Sequence, residues 1–127
     1  MNLVDSCGWL EYFAAGPNAD FFAPAIEDTS GLIVPTICLF EVFKRIAQQR
    51  NENDAMRAIG VMRQSRCIDL DDSQALGSAR LSLALKLPLA DSIILHTARE
   101  YGAALWTQDA HFAGLDGVRY LVRAEAH

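Results

Sequence analysis

Along this chain, short runs of consecutive apolar residues alternate with longer stretches in which apolar residues return every third or fourth position. The first pattern reads as strand covered on both faces, the second as amphipathic helix. Residues 2–5 form a short apolar run, and Ser6 follows as a good N-cap for a helix to about Ala15, closed by Gly16 and Pro17. A second helix is predicted over residues 18–27. In residues 31–35 β-branched side chains follow a glycine and a proline closes the run, which predicts a buried strand. Thr36 can cap a helix to about Arg50, with Leu39, Val42, Phe43 and Ile46 at helical spacing. Residues 51–66 continue as a helix with Ala55, Ile59 and Met62 on one side. A strand over 67–70 precedes a helix that starts at Asp71, Asp72 and Ser73 and runs to about Leu85. Pro88 lies in the first turn of a helix ending near Tyr101 and Gly102. A strand over 103–107, a helical turn over 109–112 and a last strand over 118–122 complete the chain.

Strands separated by one or two helices imply right-handed crossovers and a parallel sheet with helices on both faces. The expected fold is therefore α/β: a three-layer α/β/α sandwich around a central, mainly parallel sheet. One domain over residues 1–127 fits the length. An apolar fraction of 51% excludes disorder. No apolar run reaches the ~18 residues of a spanning helix, and Asp5 interrupts the first run without a basic segment before it. Neither a membrane span nor a secretory signal is expected. Cys7, Cys38 and Cys67 are odd in number and widely spaced, so they read as small buried hydrophobes in a reducing, cytoplasmic protein.

Sixteen acidic residues against eleven Lys and Arg give a net charge of −5, so general attraction to nucleic acid is not written in the balance. Lys44, Arg45, Arg50, Arg57, Arg63 and Arg66 nevertheless fall in one stretch. A solvated helical face and a phosphate-contacting rim both account for it, and composition does not separate them.

In parallel α/β sheets ligands bind at the carboxyl edge of the strands. Asp5 ends the first predicted strand and Asp109 follows the fourth. Asp91 lies in the first turn of the helix that returns to that fourth strand, and Glu41 is about one and a half turns into the helix leaving the second. All four belong at the same edge. Each has a plainer role available: Asp5 or Asp109 can cap a helix, and Glu41 can pair with Arg45 one turn on. Asp91 is harder to explain so, because its helical face also carries Ile94, Leu95 and Ala98. Carboxylates about 5 Å apart repel by roughly 3 kcal/mol per pair at an effective dielectric near 20. A divalent cation relieves that repulsion. Hard oxygen donors, with no His or Cys pair at zinc spacing, favour Mg²⁺ or Mn²⁺. With these four set aside the rest of the chain is close to balanced, so the acidity is local.

The segments NLVDSCGWLEYF, PTICLFEVFKR, LPLADSIILHTAREYGAALWTQDAHF and VRYLV together resemble the PIN-domain ribonucleases, and among them the VapC-type toxins of bacterial toxin–antitoxin pairs. The resemblance spans essentially the whole chain. It implies a Mg²⁺- or Mn²⁺-dependent endoribonuclease, the toxin of a type II toxin–antitoxin system, hydrolysing RNA with metal-activated water. Asp5, Glu41, Asp91 and Asp109 match the family's acidic quartet, and Ser6 and Thr107 its accessory hydroxyls. Asp5 and Asp91 are the first choices for direct metal contact. The resemblance further implies a homodimer and a small antitoxin partner; it does not extend to the basic residues.

A phospho-acceptor domain needs a second acidic residue after the first strand and a late lysine, but Ser6 and Cys7 follow Asp5 and the only lysines are Lys44 and Lys86. A PIN-like nucleic-acid-binding module without cleavage activity is the alternative, against which the intact quartet argues. His96 lies about 140° around its helix from Asp91 and reads as a surface or packed side chain. For His111, beside Asp109, contact with substrate is the lesser reading. Trp9, Tyr12 and Trp106 read as core or dimer contacts.

Overall fold

A computed structural model describes residues 1–124. Five strands form one sheet in the order β3-β2-β1-β4-β5, every neighbouring pair parallel. They are β1 (Asn2–Val4), β2 (Leu32–Pro35), β3 (Arg66–Ile68), β4 (Ala104–Thr107) and β5 (Val118–Tyr120). Six helices flank them: α1 (Ser6–Phe13), α2 (Ala19–Glu27), α3 (Thr36–Gln49), α4 (Glu52–Met62), α5 (Asp72–Leu85) and α6 (Leu89–Glu100). The chain steps outward from β1 to β3 and then returns across the sheet to β4. With right-handed crossovers, that reversal sends α1–α4 to one face and α5–α6 to the other. Layers and strand direction thus follow the expectation, with the sheet parallel throughout.

β2 is buried at all four positions, as a strand covered on both faces must be. Leu3, Val4, Ile33, Val34 and Leu105 make the centre of the core, closed by Trp9, Phe22 and Phe112. Gly8 permits this closure: a Cβ there would stand 2.6 Å from the Phe22 ring and 2.7 Å from Val4.

Several boundaries move for identifiable reasons. β1 stops at Val4 because Asp5, not Ser6, caps α1, accepting the Ser6 N–H at 2.8 Å. α3 has Pro35 at its cap position and no side-chain cap, so Thr36 is already helical. α4 ends at Met62 and β3 begins at Arg66, one residue before the expected strand. Asn18 holds the N-cap position of α2 without a side-chain cap bond; its amide donates instead to Gln108 Oε1 (2.9 Å) and to the Val122 carbonyl (3.1 Å), which fastens the segment carrying Asp109. Cys38 is buried as expected, but Cys7 is half-buried and Cys67 exposed, which corrects the reading of all three as core. Among the described residues no single helix is long and apolar enough to cross a membrane.

Candidate functional site

β1 is where the strand order turns, with β2 on one side and β4 on the other, so the sheet opens a crevice beyond its carboxyl end. Asp5 sits at that point. It is 4% exposed, and its carboxylate accepts from the Ser6 N–H, from the Thr107 hydroxyl at 2.7 Å and from the Cys7 thiol at 3.3 Å. Burial pushes its pKa up to about 6; the Thr107 and Cys7 hydrogen bonds oppose the rise and the charge of Asp91 adds to it.

Thr107, the last residue of β4, works in two directions. Its hydroxyl donates to Asp5 and accepts the Asp109 N–H at 2.9 Å, which ties the Asp5 carboxylate to the backbone that carries Asp109. Asp109 caps the helical turn Ala110–Phe112 by accepting the His111 N–H at 3.0 Å. The capping roles open to Asp5 and Asp109 are therefore real, and both side chains line the pocket as well. Glu41 does not pair with Arg45; its Oε1 accepts from the Ser6 hydroxyl at 2.7 Å. Burial raises its pKa, against the Ser6 hydrogen bond, and the charges of Asp91 and Asp109 raise it further.

Asp91 lies in the first turn of α6 with Ile94, Leu95 and Ala98 buried along its face. Burial again leads the upward shift of its pKa, and the charge of Asp109 adds to it. Opposing both is a hydrogen bond of 2.7 Å with His111 Nδ1, which also stands 3.5 Å from Asp109 Oδ1. The Asp91 bond is the main reason the His111 pKa is raised.

Asp5, Glu41, Asp91 and Asp109 thus come from four elements to one open pocket of about 420 Å³. Ser6 and Thr107 each hold one of these carboxylates by hydrogen bond. Among the described residues no Lys or Arg forms a salt bridge with the four, and the neighbour that can add a positive charge is His111, when protonated. The donor set suits a divalent cation: four hard carboxylates with uncompensated charge, and ligand atoms of Asp91, Asp109 and His111 within 4.8 Å of one another.

Three features of the site escaped the sequence reading. His111 joins Asp91 and Asp109, for which its spacing of two from Asp109 in a tight turn was the available signal. Cys7 lines the pocket, its thiol pushed up to about 12 by burial and by the Asp5 charge, so it stays protonated and donates to Asp5. Phe40, which the sequence reading did not single out, borders the same pocket beside Lys44 and Arg45, for which a phosphate-contacting rim is one of the two sequence readings. His96, by contrast, packs against Gly77 and pairs with Glu100 at 3.1 Å, away from the carboxylates.

A profile of the PIN domain matches residues 3–118 of the chain. A search of curated protein sequences finds no match. Among solved structures, a chain of a toxin–antitoxin complex from Klebsiella pneumoniae is 24% identical, with 94% of this chain and 96% of that one covered and a TM-score of 0.79. VapC20 of Mycobacterium tuberculosis, a sarcin–ricin loop cleaving toxin, is 14% identical, with coverages of 94% and 99% and a TM-score of 0.77. A chain of the DNA-bound VapBC from Salmonella typhimurium is 14% identical, covered to 96% and 98%, with a TM-score of 0.70. At these identities the three structures share the fold.

Proposed function

The chain belongs to the PIN-domain family, and from that premise we propose that it is a Mg²⁺- or Mn²⁺-dependent endoribonuclease, the toxin of a type II toxin–antitoxin pair. The observation that carries the reading is the meeting of Asp5, Glu41, Asp91 and Asp109 in one pocket at the carboxyl end of the sheet. Four carboxylates without a Lys or Arg partner make a poor structural device, since each raises the cost of ionising its neighbours. They make a good cage for a divalent ion.

In this reading Asp5 and Asp91 hold the ion directly, and Glu41 and Asp109 complete the charge around it. A bound Mg²⁺ or Mn²⁺ supplies neutralisation of the scissile phosphate and a water of lowered pKa. The chain's own part is to keep the ligands still. Thr107 fixes the orientation of Asp5 and ties it to Asp109, and Ser6 fixes Glu41. No Ser, Cys or His nucleophile is required, and Cys7, protonated at neutral pH, is unsuited to be one.

The partners in this reading are an RNA substrate, a small antitoxin and a second copy of the chain, in the cytoplasm. The antitoxin rests on the company of the fold, the toxin–antitoxin complex and VapBC structures. The second copy is supported by the α5–α6 face, where Leu70, Leu83, Leu89 and Ile93 line an apolar groove of about 510 Å³.

Calorimetric titration with Mn²⁺, paired with cleavage of a structured RNA, tests the reading. Wild type should bind the ion, gain thermal stability from it and cut the RNA, with EDTA abolishing cleavage. Asp91→Asn should bind far more weakly. Cleavage that survives EDTA, or equal Mn²⁺ binding by Asp91→Asn, would contradict it.

A further inference from the structure

The solvent side of α3 carries a stripe that the metal-nuclease reading leaves unused. Phe40, Lys44 and Gln48 recur at helical spacing on one side of Glu41, and Arg45 flanks Glu41 on the other. At 100° per residue these five cover about 140° of the helix, while Cys38, Val42 and Ile46 on the far side are buried. All five border the acidic pocket.

Two observations distinguish this stripe from an ordinary solvated face. Phe40 is 60% exposed at the pocket's lip, with the Lys44 ammonium 5.8 Å from its ring centroid. Lys44 and Arg45 also have no carboxylate partner among the described residues. Others of the same basic stretch are engaged elsewhere: Arg50 and Arg57 pair with Asp54, and Arg66 lies over the Tyr101 ring. The structure therefore divides the stretch that the sequence left undecided. Lys44 and Arg45 are the members of the stretch that border the carboxylates, beside an exposed aromatic ring, whereas Arg63, which also has no carboxylate partner among the described residues, does not line the pocket.

We propose that Phe40, Lys44 and Arg45 form a nucleotide subsite for single-stranded RNA, with an unpaired base stacked on Phe40 and the flanking phosphates held by the two cations. An anionic strand is repelled by the acidic pocket, and two cations at its lip offset that repulsion where the strand enters. An aromatic face takes any base that is not already stacked within a duplex. The inference rests on the RNA-cleaving reading of the pocket.

Fluorescence anisotropy with a short single-stranded oligoadenylate, in EDTA and over a salt series, tests it without cleavage. Phe40→Ala should weaken binding about tenfold with the salt slope unchanged. Phe40→Leu, which keeps apolar bulk but no aromatic face, should match it, and Phe40→Trp should bind like wild type. Lys44→Ala and Arg45→Ala should each lower the slope of log K against log salt by about 0.7. All these side chains are exposed, so circular dichroism should stay native. Wild-type affinity in Phe40→Ala, unchanged slopes, or equal binding of an RNA duplex by wild type would each overturn the subsite. So would variants that bind RNA normally and lose only a co-expressed antitoxin, since the stripe would then belong to a protein partner. Mn²⁺-dependent cleavage by wild type reports on the underlying reading separately: a protein that cuts while its variants bind normally loses this inference alone.

Discussion

Two surfaces of this molecule break the rule that apolar groups go in and charged ones out, and they break it in opposite senses. At the carboxyl end of β1, Asp5 is almost wholly buried, with three more carboxylates drawn in around it. On the α5–α6 face Leu83 and Leu89 are 83% and 72% exposed. The first surface stores repulsion that a cation relieves; the second leaves apolar area that another surface would cover. Ordinary folding stability explains neither, and in the proposed reading each is completed by a partner, one an ion and the other a second copy of the chain.

The comparison is broken most severely by removing charge from the pocket. Asp5→Asn and Asp91→Asn should each lower RNA cleavage at least hundredfold, about 2.7 kcal/mol of transition-state stabilisation. Glu41→Gln and Asp109→Asn should leave more activity, particularly at high Mn²⁺. Circular dichroism should remain native in all four.

The burial of Asp5, with the repulsion from its neighbours added to it, should next appear as a pH dependence of the metal-free fold. The pKa of Asp5 is raised from 3.8 to about 6 on folding, so the folded chain keeps a proton that the unfolded chain has released. Stability should therefore fall as pH rises from about 4 to 6, by up to ~3 kcal/mol from this group. Glu41 and Asp91 are shifted upward too and act in the same direction over this range, whereas His111, raised from 6.5, acts only above it. Urea denaturation in EDTA across that range should show the decline, and Asp5→Asn should flatten it.

The leucine face predicts the opposite signature. Leu83→Lys should change the stability of the folded chain by less than about 0.5 kcal/mol, because the side chain is exposed. It should still weaken self-association by tenfold or more, which sedimentation equilibrium would measure. The smallest effect belongs to His111. Its NMR titration should lie above 6.5 in metal-free protein, and in Asp91→Asn it should drop back, since the Asp91 hydrogen bond is the main cause of the rise.

Much of this was legible in the sequence, for physical reasons that can be named. Buried β-branched runs such as residues 31–35 and the capping aspartates mark where a parallel sheet ends and helices begin. The carboxyl-edge rule then brings Asp5, Glu41, Asp91 and Asp109 together without coordinates. What stayed hidden depends on orientation within a turn or around a helix. Whether Asp5 or Ser6 caps α1 is a matter of one residue's backbone angles. The His111 bond to Asp91 joins residues twenty positions apart through a tight turn. The basic stretch is split by the pairing of Arg50 and Arg57 with Asp54, which depends on how α3 turns into α4.

The central claim is that the four carboxylates act as one metal-assembled unit, and a double-mutant cycle tests it most directly. The measurement is cleavage of a structured RNA in Mn²⁺ by Asp5→Asn, Asp91→Asn and the double variant, all free of antitoxin. If either loss already misplaces the ion, the double variant should be scarcely slower than the worse single one. Losses that multiply would show that Asp5 and Asp91 act independently, and an Asp91→Asn protein as fast as wild type would contradict the account outright.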